Sequence, residues 1–244
     1  MESLETELER ARALSASALA DAIERIGFEC TRCGACCKAG ETNCGDGGDE
    51  DADDAEPHTA TVFPDEIRQL QAAGDYDFRD VARPMPYGLT EGPDGPEGET
   101  FEWALQTDDC GDCTFYAEDD AGVGACTVHE DRPLICQTYP FSVALGGTSQ
   151  PLGAVVDSVP LDGGTDGNGA GTATVQAHEC EGLGRDIDRE HAEELASALK
   201  ERAVRELEEA IGVRDNYEPT TSDGVVVVHD SEGAKRPDGT EYDR

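Results

Sequence analysis

The clearest hydrophobic periodicity lies towards the two ends of the chain. From Glu2 to Ile26, apolar residues recur at helical spacing in a single stripe, which predicts one helix that ends at Gly27. A second stripe, from Ile187 to Ile211, predicts the clearest helix, with Gly212 as its stop signal. A shorter helix is predicted to begin at Pro64, because proline favours the first helical turn and two acidic residues follow it.

Between these helices, short apolar runs predict strands over 101–106, 141–145 and 154–159, and a further strand over 225–228 precedes a frayed polar tail. The turn-rich segment 91–98, the acidic run 46–56 and the glycine-rich segment 162–171 are predicted loops. The predicted fold class is α+β, a small, loop-rich single domain with flanking helices. We divide the chain into an N-terminal helix (1–27), a central domain (28–186, with an acidic insertion over 45–57), a C-terminal helix (187–212), and a strand with a polar tail (213–244).

The net charge of the chain limits the classes of partner that it can bind. It carries 55 Asp and Glu against 18 Lys and Arg, for a formal net charge of -37. Such a surface repels itself unless salt screens it, and the composition resembles that of proteins from extreme halophiles. It argues against binding to nucleic acid or anionic membranes, both of which need basic patches. With neither a signal peptide nor a membrane-spanning run visible, we expect a cytoplasmic protein.

The ten cysteines are the strongest chemical signal. In a reducing compartment, thiols are more often metal ligands than halves of disulfides, although disulfides remain the alternative. The run Cys30-Thr-Arg-Cys33-Gly-Ala-Cys36-Cys37 has two-residue gaps that let thiolates converge on one centre. Because adjacent side chains usually diverge, we expect Cys36 and Cys37 to bind different ions or different parts of a cluster.

Further cysteines follow downstream, and we predict that eight of the ten bind the metal cofactor, which would then staple the domain. These eight could form two four-thiolate sites, or one cluster with a separate structural site: Cys30, Cys33, Cys36, Cys37, Cys113, Cys126, Cys136 and Cys180. Cys44 and Cys110 are left over, either as buried thiols or as alternative ligands. The compact spacing favours an iron–sulfur cluster of the four-iron type, with zinc as the alternative.

Two other residues beside the cysteines could take part. Arg132 could neutralise the charge of a thiolate-bound cluster or bind an anionic substrate, although an ion pair with Glu130 or Asp131 explains it equally simply. His178 lies two residues before Cys180, and we favour a surface histidine over a metal ligand.

These residues resemble the CxxCxxCC (YkgJ-type) cysteine-cluster family, described as a zinc- or iron-chelating domain. The resemblance runs from Phe28 to about Gly184, through the first cysteine run, Cys113-Thr-Phe-Tyr, the segment from Cys126 to Phe141, and Cys180-Glu-Gly-Leu-Gly. The chain departs from the family at His129, where tyrosine is common, at Gln137, where arginine is common, and in its acidic insertion. The resemblance implies a metal or iron–sulfur centre and says little about a substrate.

Three functions are compatible with such a centre. The first is a redox or electron-transfer protein, which leaves open an iron–sulfur oxidoreductase with an unidentified redox partner. The second is a module that zinc stabilises and that binds a protein partner, since metal binding contributes directly to folding free energy. The third rests on resemblance alone: flagellin lysine methylases carry a similar cysteine segment, which suggests an accessory role in protein lysine methylation. No S-adenosylmethionine motif is visible, so this role ranks last.

Overall fold

The computed structural model describes residues 3–39, 57–145, 152–161, 173–220 and 224–242. Its helices are α1 (Leu4–Ala13), α2 (Ala16–Ile26), α3 (Pro64–Ala73), α4 (Phe78–Val81), α5 (Leu134–Thr138) and α6 (Arg189–Asn216). Its strands are β1 (Thr61–Val62), β2 (Ala82–Pro84), β3 (Leu89–Gly92), β4 (Gly95–Thr100), β5 (Trp103–Leu105), β6 (Tyr116–Glu118), β7 (Gly124–Cys126), β8 (Phe141–Ala144), β9 (Val155–Pro160), β10 (Thr174–His178), β11 (Val226–Asp230) and β12 (Gly233–Lys235).

Helices and several small sheets together confirm the predicted α+β class. The metal staple and the domain boundaries stay predictions. The predicted loops over 46–56 and 162–171 lie outside the described residues. No helix in the described ranges combines the length and the apolar character that a membrane crossing needs.

The chain forms two compact units, each assembled from two separate segments. Unit 1 comprises Met1–Thr31 and Leu134–Ile211, and unit 2 comprises Arg32–Pro133 and Gly212–Arg244. The chain therefore leaves unit 1 within the first cysteine run and returns to it just before Cys136.

Unit 1 is built on an antiparallel sheet in which β10 lies between β8 and β9. Helix α2 packs against this sheet, since its apolar stripe puts Leu19 and Ile23 in a core with Phe141 and Leu199, all fully buried. Burying each of these side chains contributes on the order of 1.5–3 kcal/mol. The core therefore holds together the elements on which the cysteines of unit 1 are carried.

The predicted single N-terminal helix is wrong, because the stripe is divided between α1 and α2. The break falls at Leu14 and Ser15. The Ser15 hydroxyl accepts the backbone N–H of Ala18 at 3.3 Å and so satisfies a donor that a helix start leaves unpaired. A serine that caps a new helix inside an apolar stripe does not disturb the periodicity, and the pattern alone therefore misses the break.

Unit 2 contains three small sheets, ordered β1-β5-β2, β12-β11-β4-β3 and β6-β7. Strand β11 pairs in parallel with β4, which joins the two segments of the unit. Trp103 on β5 is buried, and its Nε1 donates to Asp230 Oδ2 at 2.9 Å. A buried indole needs such an acceptor, so this bond fixes β5 against the end of β11.

Four predicted strands are confirmed with shifted bounds, as β5, β8, β9 and β11. The predicted loop over 91–98 is wrong, because it forms most of the β3–β4 hairpin. The segment is made of glycine, proline and acidic residues, which are rare in strands. Composition therefore does not predict this hairpin. The predicted stop at Gly212 is also wrong, since α6 continues to Asn216. A Cβ on Gly212 would lie 2.6 Å from that of Ser231, so this glycine serves close packing.

Candidate metal centre

The predicted ligands divide between the two units. Unit 2 holds five of them, Cys33, Cys36, Cys37, Cys113 and Cys126, and unit 1 holds Cys30, Cys136 and Cys180. All eight are reduced thiols. Cys110 differs, because it is disulfide-bonded and is therefore neither of the two things we expected, a buried thiol or an alternative ligand. Cys44 lies outside the described residues.

The first cysteine run forms a tight turn around Gly34. The Gly34 carbonyl accepts the backbone N–H of Cys37 at 2.8 Å and that of Lys38 at 3.1 Å. Gly34 has a φ of 77°, and a Cβ there would lie 2.2 Å from the hydroxyl of Tyr116. Glycine is required on both grounds, because the backbone is left-handed and a neighbouring side chain occupies the space that a methyl group would need.

This turn is fastened by its backbone to the segment that carries the next two cysteines. The Cys113 N–H donates to the Cys37 carbonyl at 2.8 Å, and the Gly124 N–H donates to the Arg32 carbonyl at 2.8 Å. The two bonds lie at opposite ends of the turn. They therefore set the position of the cysteine loop against the β6–β7 hairpin.

Side chains add a second attachment between the loop and the hairpin. Glu118 Oε2 accepts the Tyr116 hydroxyl at 2.6 Å and Lys38 Nζ at 2.5 Å, and Lys38 also lies 5.2 Å from the centre of the Tyr116 ring. Tyr116 is paired with Cys126 across the two strands. The ion pair is exposed and contributes little free energy by itself, so Tyr116 packing and the backbone bonds carry most of the attachment.

The sulfurs of Cys36 and Cys37 lie 3.7 Å apart. Tetrahedral zinc–thiolate bonds of about 2.3 Å place two sulfurs of one ion about 3.8 Å apart. The expectation that these adjacent side chains diverge is therefore wrong. Their separation is that of a hydrogen-bonded thiol pair, and it also matches the distance between two sulfurs that bind a single ion.

Electrostatics connects this pair to the other cysteines of unit 2. A hydrogen bond from Cys37 lowers the pKa of Cys36 to about 7, against the effect of burial, and the charge of Arg132 lowers it further. Burial raises the pKa of Cys113 to about 11, and the charges of Cys126 and Cys36 add to the increase. Burial also raises the pKa of Cys126, while Arg132 opposes it. Cys36 and Cys126 therefore lie close enough to Cys113 to affect its pKa, and Arg132 lies close enough to Cys36 and Cys126 to affect theirs.

The three cysteines of unit 1 lie on segments that are bonded to one another. The Glu29 N–H, next to Cys30, donates to the Gly182 carbonyl at 3.0 Å, and the Gly182 N–H donates to Cys180 Sγ at 3.4 Å. An amide that donates to sulfur stabilises the thiolate form that metals bind. Next to Cys30, the hydroxyl of Thr31 is buried and has no hydrogen-bond partner among the described residues. It is a donor available to a thiolate.

Across the described ranges, no three Cys, His, Asp or Glu side chains converge as a ready metal-binding group. The Cys36–Cys37 pair is a direct contact between the sulfurs of two predicted ligands. The donor set still fits a thiophilic metal ion, because eight reduced thiols, an amide-to-sulfur bond and an orphaned hydroxyl occur in the same cysteine motifs. Ionising the buried Cys113 at neutral pH requires such a cation.

The two histidines near the cysteines have separate roles. His129 is exposed, and its Nδ1 lies 3.3 Å from Glu130. His178 is buried, with Nε2 2.8 Å from the Ser142 hydroxyl and Nδ1 3.1 Å from the Gly153 carbonyl. The surface histidine favoured at position 178 is therefore wrong. Both ring nitrogens are engaged in holding β8 and the start of β9 to β10.

Comparison with known proteins identifies the family. The model of the CxxCxxCC family, a "putative zinc- or iron-chelating domain", matches residues 29–181. The chain belongs to this family. Metal binding by a CxxCxxCC domain is the function that the match supports, with zinc and iron both within its description. No curated protein and no solved structure matches the chain.

Within the CxxCxxCC match lie all eight predicted ligands, from Cys30 to Cys180. The disulfide-bonded Cys110 also falls inside it, so the match by itself does not separate ligands from other cysteines. Tyr116 and Gly182 lie in motifs that carry the family resemblance, but sequence reasoning assigned neither residue a role. The signal for Tyr116 was its place three residues after Cys113, one turn from a predicted ligand.

Proposed function

We propose that this CxxCxxCC protein holds an iron–sulfur cluster on its reduced cysteines and transfers single electrons through it. The observation that carries the proposal is the 3.7 Å separation of the Cys36 and Cys37 sulfurs. In a two-iron cluster bound by four cysteines, each iron has two thiolate ligands. In a four-iron cluster, each iron has only one. The pair therefore favours a two-iron cluster over the four-iron type that spacing alone suggested.

The proposed ligands of this cluster are Cys36 and Cys37 on one iron, with Cys113 and Cys126 on the other. Their mutual effects on pKa and the bond from the Cys113 N–H to the Cys37 carbonyl support this set. The three cysteines of unit 1 then remain as ligands of a second site within that unit or as thiols that bind no metal, and Cys33 is left outside both sets.

The residues around the four sulfurs have definite tasks. Arg132 offsets the negative charge of the thiolates, which would make the addition of an electron easier. The Gly34 turn and Tyr116 hold the vicinal pair against the hairpin, so the sulfurs need not reorganise when the charge changes. When bound, the cluster supplies the one-electron chemistry.

A structural zinc site is the second candidate, because a 3.7 Å pair suits one zinc ion as well as one iron. In that case the ion would fasten the cysteine loop to the β6–β7 hairpin and leave a surface for a protein partner. Iron is preferred here because the compact Cys-x2-Cys-x2-Cys run follows ferredoxin spacing. An accessory role in lysine methylation stays a prediction from resemblance.

Anaerobic purification in concentrated salt, followed by analysis of iron, zinc and acid-labile sulfide, tests the proposal. We expect two irons and two sulfides per chain, with visible absorption that bleaches reversibly on reduction. Colourless protein with stoichiometric zinc would replace the redox proposal with the structural one. A chain that binds neither metal with its thiols reduced would refute both.

A further inference from the structure

Arg202 is a charged side chain in the core of unit 1. It lies on α6 with 1% of its surface exposed, and its Nε donates to Glu206 Oε1 at 2.7 Å. Burial raises the pKa of Glu206, while Arg202 opposes that rise. A buried guanidinium costs free energy unless its N–H groups donate hydrogen bonds. The other hydrogen bonds of Arg202 therefore indicate its structural role.

Those bonds reach the short helix that carries Cys136. Arg202 Nη1 donates to the Thr138 hydroxyl at 3.0 Å and to the Phe141 carbonyl at 3.3 Å. The Thr138 hydroxyl in turn donates to the Leu134 carbonyl at 2.7 Å. Helix α5 has five residues, too few to hold its own shape, so its position depends on such outside bonds.

The same turn is bonded to the segment before Cys180. The Tyr139 hydroxyl donates to the Glu179 carbonyl, and the His178 N–H donates to the Pro140 carbonyl at 2.9 Å. The end of α5 is therefore held on one side by Arg202 and on the other by the end of β10. Cys136 lies two residues before Thr138, and Cys180 lies directly after Glu179, so each cysteine is next to one of these attachments.

We propose that Arg202 is a positioning residue that fixes Cys136, relative to Cys180, for metal binding. The inference rests on the part of the proposed function in which Cys136 and Cys180 are ligands of a second site, so metal that protects the other cysteines but neither of these two would overturn the inference alone. The planar fork of arginine bonds Glu206 and Thr138 in different directions at once, which a lysine ammonium on its flexible stem does not reproduce. Arg202 bonds the Thr138 hydroxyl and the Phe141 carbonyl, and it acts on Cys136 through the backbone of α5.

Three variants of the full chain separate positioning from general stability. Thr138→Val removes the hydroxyl that relays the bond and keeps Arg202, and Arg202→Lys keeps the charge without the fork. Arg189→Met is the matched control, because Arg189 is on the same helix and pairs with Asp21, Glu24 and Glu193 at the surface, away from α5.

The measurement is the alkylation rate of each cysteine by iodoacetamide, read by mass spectrometry in the metal-loaded chain, with circular dichroism to verify folding. In the wild type, we expect metal to protect Cys136 and Cys180. Thr138→Val and Arg202→Lys should each weaken that protection about 10- to 100-fold, the usual effect of losing a support behind the ligands. Protection of Cys36 and Cys37 should stay as in the wild type, and Arg189→Met should change none of the rates.

Two further results would overturn the inference. The first is a pair of folded variants in which the protection of Cys136 is unchanged, or in which protection is weakened equally at every cysteine. Either outcome would show that Arg202 has only a general stabilising role and would leave the proposed function intact. A wild-type chain in which metal protects no cysteine at all would overturn the proposed function together with the inference.

Discussion

Whether Cys36 and Cys37 share one metal ion can be decided by substituting each with serine, alone and together. If both sulfurs bind one ion, as their 3.7 Å separation suggests, the two single variants damage the same ion. Structural thiolate sites bind zinc with about 10–16 kcal/mol, or about 2.5–4 kcal/mol for each of four ligands. Since 1.4 kcal/mol is tenfold, each single variant should lose about 100- to 1,000-fold in affinity.

The double variant gives the sharper reading. Sharing predicts that Cys36→Ser/Cys37→Ser loses only the ion that both single variants already weaken, so that the metal bound elsewhere in the chain stays in place. Chelator competition on the folded chain, with the Cys110 disulfide intact, measures affinity, and elemental analysis counts the ions that remain. Cys110→Ser is the control, because Cys110 is disulfide-bonded and lies outside the proposed ligand set.

The contrary outcome is equally definite. If each single variant removes a different ion, so that the double variant loses two, then the two sulfurs serve separate centres. The 3.7 Å separation would then be a hydrogen-bonded thiol pair only, and the two-iron arrangement would be refuted.

Three further predictions concern the stability of the two units and the turn that carries the cysteine pair. Glu99→Gln should destabilise the chain by roughly 1–2 kcal/mol at pH 7 in urea unfolding. Burial raises the pKa of Glu99, but bonds from Thr220 and His229 outweigh it and lower the pKa to about 2, and solvent screens part of the resulting gain in stability. That difference from the wild type should be complete above about pH 4.5 and should disappear as pH falls towards 2. Gly34→Ala should weaken metal binding at least tenfold in chelator competition, since the new methyl group collides with Tyr116. Leu199→Ala should cost about 2–5 kcal/mol in urea unfolding, because it leaves a cavity in the core of unit 1.

Each of these has its own control. Glu91→Gln, on the exposed face of neighbouring β3, should leave unfolding unchanged, and a Glu99 effect that persists at pH 2 would contradict the assigned cause. Comparing variants at equal pH also cancels the large charge of the chain. For Gly34→Ala, the second change Tyr116→Ala should restore part of the affinity; if it restores none, backbone conformation alone explains the glycine.

Much of the site could be predicted because its signal is local. The cysteine spacing, from Cys30 to Cys37 and again from Cys113 to Cys180, led to the family that the match confirms. The direction of the Cys36 and Cys37 side chains could not be predicted in the same way. It depends on the left-handed Gly34 and on the contact with Tyr116, some 80 residues along the chain, which spacing does not encode.

The fold shows the same division between local and distant causes. Helices α3 and α6 were predicted because their stripes or first-turn residues lie in one segment. The β3–β4 hairpin was missed because glycine, proline and acidic residues form its strands, and β4 is held on its other side by β11. Strand formation there depends on a partner more than 120 residues away, and local composition does not reveal such a partner.

The parallel pairing of β4 with β11 also sets an order of events during synthesis. Residue 100 leaves the ribosome about 130 residues before Asp230, the end of β11, which is on the order of 6–26 s at ordinary elongation rates. Throughout that interval the first cysteine run and Cys113 are already made, while one edge of β4 still lacks its neighbour. The nascent chain therefore displays its thiols before the unit that carries them is complete, and a metal ion captured then would bind an unfinished protein.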